Sequence, residues 1–124
     1  MGLLIGIVGA LAVVLGAFGA HGLKEVLPEE LLASYNTGIR YHFYHVITCL
    51  IAYLGMGKSK YRLWSIYCFL GGIVLFSGSI YLLSCRSILG IENYKWLGPI
   101  TPIGGLFFII GWILLGVSLH KIKK

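Results

Sequence analysis

The chain alternates between long apolar stretches and short segments that carry its charges. Four stretches contain no Asp, Glu, Lys or Arg. Each is close to or longer than the ~17 to 25 residues that an α-helix needs to cross a hydrocarbon core about 30 Å thick. The pattern predicts a single all-α transmembrane domain with four spans, at about 2–22, 38–57, 62–85 and 101–120.

The second span differs from the others because several polar side chains share one of its faces. At 100° per residue, small and polar residues fall on that face and large apolar residues fall opposite. An imidazole that faced lipid would lose its water without replacement, so the polar face should meet other helices. This face consists of Gly38, His42, His45, Cys49, Ala52 and Met56, and the opposite face of Phe43, Ile47, Leu50, Ile51 and Leu54.

Four polar or thiol side chains are therefore predicted to form a cluster beneath the outer headgroups: His21, His42, His45 and Cys49. His21 follows the first span and lies on a different side of that helix from its small residues, which are Gly9, Ala12, Gly16 and Gly19. A contact between His21 and His45 requires a bend over residues 19–22, where glycine permits one.

Small residues recur along the other spans. Gly9, Ala12, Gly16 and Gly19 form a stripe on the first span, and the third and fourth spans carry small residues a heptad apart at 65, 72 and 79 and at 104, 111 and 118. Such faces let helix backbones approach closely inside lipid. They predict an antiparallel four-helix transmembrane bundle with short connections.

Two helix starts are predicted from proline. Pro28, followed by two glutamates, favours a short helix on the outer interface between the first two spans, with Leu27, Leu31 and Tyr35 toward the membrane. A helix that continues directly into the second span is the alternative. Thr101 as N-cap and Pro102 as first residue favour the start of the fourth span. A helix start at this level attracts anions.

Basic residues predict the orientation. The loop between spans two and three and the C-terminal tail carry six Lys or Arg, whereas the other side carries four. The excess in short segments places both termini in the cytoplasm. Arg40, Arg86 and Lys95 then lie at similar depth on the outer side, where with Thr101 they are candidate contacts for an anionic lipid.

Composition excludes several classes of protein. With 58% hydrophobic and 11% charged residues, the chain is too apolar for a soluble domain. The net charge of +6 resides at span ends, which indicates membrane lipids as partners rather than nucleic acid. The three cysteines have no CxxC spacing, so no disulfide framework is expected. No Lys or Arg precedes the first apolar run, so it is predicted to be a span rather than a cleaved signal peptide.

Four motifs together resemble the YgdD and YwdK family of small bacterial inner-membrane proteins, a domain of unknown function with relatives in eukaryotic organelles. They are LGAFGAHGLK at 15–24, TGIRYHFYH at 37–45, LFSGSIYLL at 75–83 and LGPITPIGGLFFIIGW at 97–112. The resemblance implies four membrane helices and no established activity. It also implies histidine at the positions of His21 and His45, with glutamine frequent at the position of His42.

Several functions remain as hypotheses. The first is a structural or accessory bundle without catalytic activity or cofactor, which meets a larger membrane complex or a second copy and uses its buried polar groups as hydrogen-bonding glue. The alternative is binding of an anionic lipid or small molecule at the outer leaflet. A metal or haem site would use His21 and His45, with His42, Cys49 or Glu25 as further ligands.

Two chemical functions are disfavoured. Proton-coupled export requires a carboxylate inside a span, and every glutamate lies in a predicted connection. Hydrolysis would need a nucleophile, a base and an acid, which loops this short do not assemble.

Overall fold

A computed structural model shows an all-helical chain over the residues that it describes, 1–55, 59–94 and 96–122. The elements are α1 (Gly2–His21), a 3₁₀ turn (Leu23–Glu25), α2 (Glu29–Gly55), α3 (Lys60–Gly72), a π-helical segment (Ile73–Ser77), α4 (Gly78–Ser84), α5 (Arg86–Leu89) and α6 (Leu97–Ile122). The elements from α3 to α4 continue one another as a single rod, which we call the α3–α4 rod.

Three of the described helices are long and apolar enough to cross a membrane. They correspond to α1 with its following turn, the α3–α4 rod and α6. Helix α2 is longer than α1 but does not meet the same hydropathy criterion, because His42, His45 and Arg40 lie within it. The structure is therefore an all-α membrane protein with three membrane-capable helices by composition.

Helices α1 and α2 pack in antiparallel register along the full length of α1. The small residues predicted to form a stripe do form the contact, since positions on α1 meet α2 side chains at intervals of a heptad. Gly2 lies against Tyr53, Gly9 against Val46 and Gly16 against Ile39. Residue numbers rise on α1 as they fall on α2, so the two helices run in opposite directions.

The α3–α4 rod and α6 pack by seating phenylalanine rings on glycines. Gly111 of α6 lies under the ring of Phe69, and Gly72 of α3 lies under the ring of Phe108. The same rod packs on α2, where the Ser77 hydroxyl donates to the Gly38 carbonyl oxygen at 2.8 Å. Further along, the Cys49 thiol of α2 lies against the Ile66 carbonyl oxygen, so residue numbers rise on α2 as they fall on the rod and the two run in opposite directions.

The close backbone contacts follow the order α1, α2, α3–α4 rod and α6. Between α2 and α6 the space is occupied by aromatic rings, with Tyr41 and Phe76 centroids 4.7 Å apart and Tyr41 and Phe108 centroids 6.1 Å apart. The row of helices therefore curves back on itself without closing tightly, and a groove remains between α2 and α6.

The predicted short interfacial helix between the first two spans is not a separate element. Helix α2 begins at Glu29 and continues unbroken into the predicted second span. No proline follows Pro28 in this segment, and Gly38 alone costs a helix only about 1 kcal/mol. Burial of Tyr35 against α1 then favours continuation over a bend.

The predicted start of the fourth span was also wrong. Helix α6 begins at Leu97, and Pro102 lies inside it. Pro99 falls in the first turn, where a missing backbone N–H costs no hydrogen bond. The segment 97–100, which a helix start at Thr101 would leave outside, is therefore part of the helix.

Candidate functional site

His42 links three helices through both of its ring nitrogens. Its Nε2 lies 3.0 Å from the carbonyl oxygen of Val8 on α1, and its Nδ1 lies 3.1 Å from the hydroxyl of Tyr81 on α4. A carbonyl oxygen only accepts, so in the neutral ring Nε2 carries the proton and the Tyr81 hydroxyl donates to Nδ1. The two partners fix the tautomer of His42.

His45 has the opposite tautomer and faces a different pair of helices. Its Nδ1 donates to the Tyr41 carbonyl oxygen at 2.7 Å, one turn earlier on α2. Its Nε2 accepts the indole N–H of Trp112 on α6 at 3.2 Å. The imidazole lies flat on the ring of Phe108, with centroids 3.6 Å apart and planes 7° apart.

Both histidines are buried, with exposed fractions of 3% for His42 and 4% for His45. The rest of the predicted inward face is buried as well, at Gly38, Cys49 and Ala52, and Met56 lies outside the described residues. On the opposite face Ile47, Leu50, Ile51 and Leu54 are exposed and Phe43 is half-buried. The helical periodicity therefore identified the packed face correctly.

His42 lies at the middle of α2. It is 13 residues after the start of the helix at Glu29 and 13 before its end at Gly55. At 1.5 Å per residue this is about 20 Å from either end of the helix. The predicted position of the histidines beneath the outer headgroups depends on where the membrane boundary falls along α2, and it stays a prediction.

The four residues of the predicted polar cluster do not come together. His21 is exposed at the C-terminal end of α1, and the Cys49 thiol donates toward the Ile66 carbonyl oxygen at 3.9 Å. His42 and His45 contact different helices, so their imidazoles do not face one another. Periodicity gave the face of α2 but not which neighbouring helix each side chain meets.

The arrangement leaves the two buried imidazoles without a free lone pair for a metal. Each ring has one nitrogen that donates and one that accepts from Tyr81 or Trp112. Within the described part of the chain, no three His, Cys, Asp or Glu residues lie close enough to hold a metal ion. His21, the other weak candidate ligand, is on the surface.

Two of the four residues predicted to contact an anionic lipid line a small pocket. Arg86 and Thr101 line it with Thr37, whose hydroxyl accepts a 2.9 Å hydrogen bond from Arg40. The pocket has a volume of about 300 Å³ and is completed by Leu31, Ser34, Ile80, Leu83 and Ser84. Lys95, the fourth predicted contact, lies outside the described residues.

Thr101 has a different role from the predicted helix cap. Its hydroxyl lies 2.6 Å from that of Ser79 on α4. Ser79 donates its proton to the Phe76 carbonyl oxygen at 3.0 Å, so Thr101 is the donor in the bond between the two hydroxyls. This bond connects α6 to the rod beside the π-helical segment.

A second and larger cavity is the groove between α2 and α6. It has a volume of about 630 Å³. Its lining is mostly aromatic and aliphatic, with the edge of His45 as a polar group: Tyr41, Tyr44, His45, Phe76, Pro102, Gly105, Leu106, Phe108, Ile109 and Trp112.

Trp112 and Tyr81 are the site residues that sequence reasoning missed. Both lie within long apolar runs, whereas aromatic residues with polar tips concentrate at membrane interfaces. An indole N–H or a phenol in the middle of a span needs a hydrogen-bond partner. Their position was therefore a usable signal that a polar group on another helix faces them.

Comparisons with known proteins give the family. A family model described as "Protein of unknown function (DUF423)" matches residues 15–105. The chain is 42% identical to "UPF0382 membrane protein YwdK" of Bacillus subtilis over 96% of this chain and 95% of that protein. It is 40% identical to a "UPF0382 membrane protein" of Haemophilus influenzae over 98% of this chain and 94% of that protein. A similar protein of Staphylococcus aureus, "UPF0382 membrane protein SAB0533", is 40% identical over 93% of each chain.

No solved structure matches the chain. The resemblance seen in the sequence motifs is confirmed, since the relatives include YwdK and are named as membrane proteins. The match extends over most of the chain in each case, and the chain therefore belongs to the DUF423 family of proteins of unknown function.

Proposed function

We propose that α2 is a fourth membrane span and that the protein is an antiparallel four-helix bundle in the bacterial inner membrane, with both termini cytoplasmic. The support is its register with its neighbours. Helix α2 meets α1 from Gly2 to Gly16 and meets the α3–α4 rod at both Gly38 and Cys49. A helix packed along the length of two membrane-crossing helices shares their depth. The basic loop and tail favour the orientation.

The polar residues of α2 do not prevent it from spanning, because their groups are satisfied inside the protein. His42 and His45 use all four ring nitrogens, and the Thr48 hydroxyl donates to the Tyr44 carbonyl oxygen at 2.7 Å. Inside lipid the main cost of a polar group comes from a lost hydrogen bond. The Arg40 side chain turns toward the N-terminal, proposed outer, end of α2, since its Nη2 donates to the Thr37 hydroxyl at 2.9 Å, and from there it can extend toward headgroups.

The function that this geometry supports best is structural or accessory: a membrane bundle with no catalytic activity of its own, which assembles with a larger membrane complex or with a second copy. The observation that carries it is the complete use of the His42 and His45 nitrogens in hydrogen bonds within the bundle. A catalytic or ligating imidazole needs a free nitrogen for its substrate or metal.

Native mass spectrometry after extraction in a gentle detergent tests the accessory function. We expect a stoichiometric oligomer or complex, retained by His42→Gln and His45→Gln, because a glutamine amide also donates and accepts but cannot titrate. A protein that emerges only as an unpartnered monomer would contradict the accessory function. So would a complex that a folded His45→Gln variant no longer forms, since the imidazole itself would then matter.

A second candidate function is binding of an anionic headgroup in the outer pocket. The observation that favours it is the placement of Arg86 in the wall of the pocket and of Arg40 on Thr37 at its edge. No Asp or Glu lines this pocket among the residues that the structure describes. Guanidinium groups pair with phosphate oxygens in a fork geometry.

Competition between lipids tests the headgroup site. Protein in mixed micelles with equal phosphatidylglycerol and phosphatidylcholine should retain the anionic lipid preferentially in native mass spectra. Arg86→Gln should reduce that preference. Arg62→Gln is the matched control, because Arg62 lies at the other end of the bundle and its Nη1 donates to the Tyr53 carbonyl oxygen. Equal retention of both lipids would contradict the site.

A further inference from the structure

We propose that the groove between α2 and α6 is the binding site for one acyl chain of an anionic phospholipid whose headgroup lies in the outer pocket. The proposal rests on the headgroup site proposed above and extends it to the chain of the same lipid. The lipid belongs to the leaflet that meets α5 and the connection between α1 and α2.

The pocket and the groove share no lining residue, but their linings follow one another along the same two helices. On α2 the lining residues Ser34, Thr37, Tyr41 and His45 follow one another at intervals of three or four, which is one helical face. On α6 the lining residues Thr101, Gly105, Ile109 and Trp112 do the same. In the proposed complex the lipid follows these two faces, and we call its course from the pocket to the level of Trp112 the path.

The polarity of the path changes once along its length, as it does in a phospholipid. Its outer end carries Arg86 and the hydroxyls of Ser34, Thr37 and Thr101. Its inner part carries aromatic and aliphatic side chains, among them Phe108. Apart from tyrosines, His45 is the only ionisable residue among the described residues that line this part, and both of its ring nitrogens are already hydrogen-bonded. Cationic and apolar parts thus match a phosphate and a hydrocarbon chain in order.

The length of the groove also fits one leaflet. Thr101 and Trp112 are 11 residues apart on α6, which is about 16 Å at 1.5 Å per residue. Half of a hydrocarbon core about 30 Å thick is roughly 15 Å. An acyl chain that begins at the pocket would therefore end near Trp112, at the centre of the membrane.

The groove stays open because its walls cannot approach each other. The rings of Tyr41, Phe76 and Phe108 stand between the two helices, with Phe76 and Phe108 centroids 5.4 Å apart. Gly105 adds depth, since a Cβ there would meet nothing nearer than the Phe76 ring at 3.8 Å.

Fluorescence quenching of Trp112 tests the proposal, because Trp112 lines the inner end of the groove. In a Trp64→Phe, Trp96→Phe background it is the sole tryptophan. The protein is reconstituted in phosphatidylcholine vesicles that contain a small, equal fraction of either phosphatidylglycerol or phosphatidylcholine with brominated acyl chains. We expect stronger quenching by the brominated anionic lipid. Each of Arg40→Gln and Arg86→Gln should lower the relative association constant about fivefold, whereas Arg62→Gln should not.

A groove-filling variant separates the acyl-chain site from the headgroup site. Gly105→Leu should abolish the additional quenching, and Gly116→Leu on the same helix should not, because a side chain at Gly116 meets open space. Equal quenching by both lipids in the parent protein would overturn the proposal. If native mass spectra still show preference for the anionic lipid in that case, the headgroup site stands and the acyl-chain site alone fails.

Discussion

The indole N–H of Trp112 donates to Nε2 of His45 across 3.2 Å, and this bond joins α6 to α2 where their backbones are separated by a groove. The same indole packs edge-on against Phe69, with ring centroids 5.5 Å apart. His45 is held in turn by the Tyr41 carbonyl and by the face of Phe108. A polar pair thus fixes one wall of the groove relative to the other.

We predict that this bond contributes measurably to stability. A double-mutant cycle with His45→Phe and Trp112→Phe should give a coupling free energy of about 0.6 kcal/mol, with ~1.7 kcal/mol as an upper value, as for other hydrogen bonds between membrane helices. The measurement is the free energy of unfolding in mixed micelles titrated with a denaturing detergent. Trp96→Phe is the control, because Trp96 is exposed and its ring packs against Tyr94 on the same connection. A coupling energy of zero would contradict the structural role of the bond.

Sequence periodicity predicted the buried face of α2 but not the environment of each residue on it. A face is set by 100° increments, so Gly38, His42 and Cys49 can be grouped from the order of residues alone. The neighbouring helix that each side chain meets depends on the register between helices, which in turn depends on where Phe rings and glycines interlock. For this reason His42 and His45, three residues apart, have different partners.

Helix ends were harder to predict for a related reason. Pro99 and Pro102 are both acceptable near a helix start, and nothing in the local sequence chooses between them. The choice is made by tertiary contacts such as the bond between Thr101 and Ser79. Likewise, the continuous α2 follows from burial of Tyr35, whose hydroxyl donates to the Leu15 carbonyl oxygen on α1 at 2.8 Å.

The close contact at Gly104 leads to a second prediction. A Cβ at Gly104 would meet the backbone of the π-helical segment, including Phe76 N and, at 2.7 Å, Leu75 C. Backbone cannot rotate aside, so Gly104→Ala should force α6 away from the rod and cost roughly 2 kcal/mol or more of unfolding free energy.

Gly105→Ala is the matched control for Gly104→Ala. Its Cβ would be 3.8 Å from the Phe76 ring, an ordinary contact, and alanine is the better helix former. The unfolding free energy of Gly105→Ala should equal or exceed that of the parent protein. Similar losses for both variants would mean that the tight approach of α6 to Leu75 and Phe76 does not determine stability.

A third prediction concerns the backbone conformation of Gly90, at the end of the short helix that begins with Arg86. Gly90 ends α5 with a φ of 67°, in the left-handed region, and the following Ile91 N–H donates to the Arg86 carbonyl oxygen at 3.0 Å. A Cβ in this conformation costs about 1 to 2 kcal/mol. Gly90→Ala should therefore lower the unfolding free energy by about that amount. Gly98→Ala, which also meets open space but carries no positive φ, should be neutral; equal effects of the two variants would argue against the backbone conformation as the cause.

The last prediction concerns the membrane topology, since α2 must cross the membrane if its contacts with α1 and the α3–α4 rod persist in the bilayer. Cysteines introduced one at a time by Glu29→Cys, Glu92→Cys and Ser59→Cys can be labelled with a membrane-impermeant maleimide. In the background protein Cys68, which is partly exposed, and the two buried cysteines, Cys49 and Cys85, are replaced by serine, and the unsubstituted background is the blank. The first two positions should react in intact spheroplasts, because they lie at the ends of helices on the proposed outer side. Ser59→Cys should react only after permeabilisation, because it precedes α3 on the basic side. The reverse pattern would show that the protein has the opposite orientation, with α2 still crossing the membrane. Labelling of Glu29→Cys and Ser59→Cys from the same side would show that α2 does not cross the membrane and would contradict the four-span bundle.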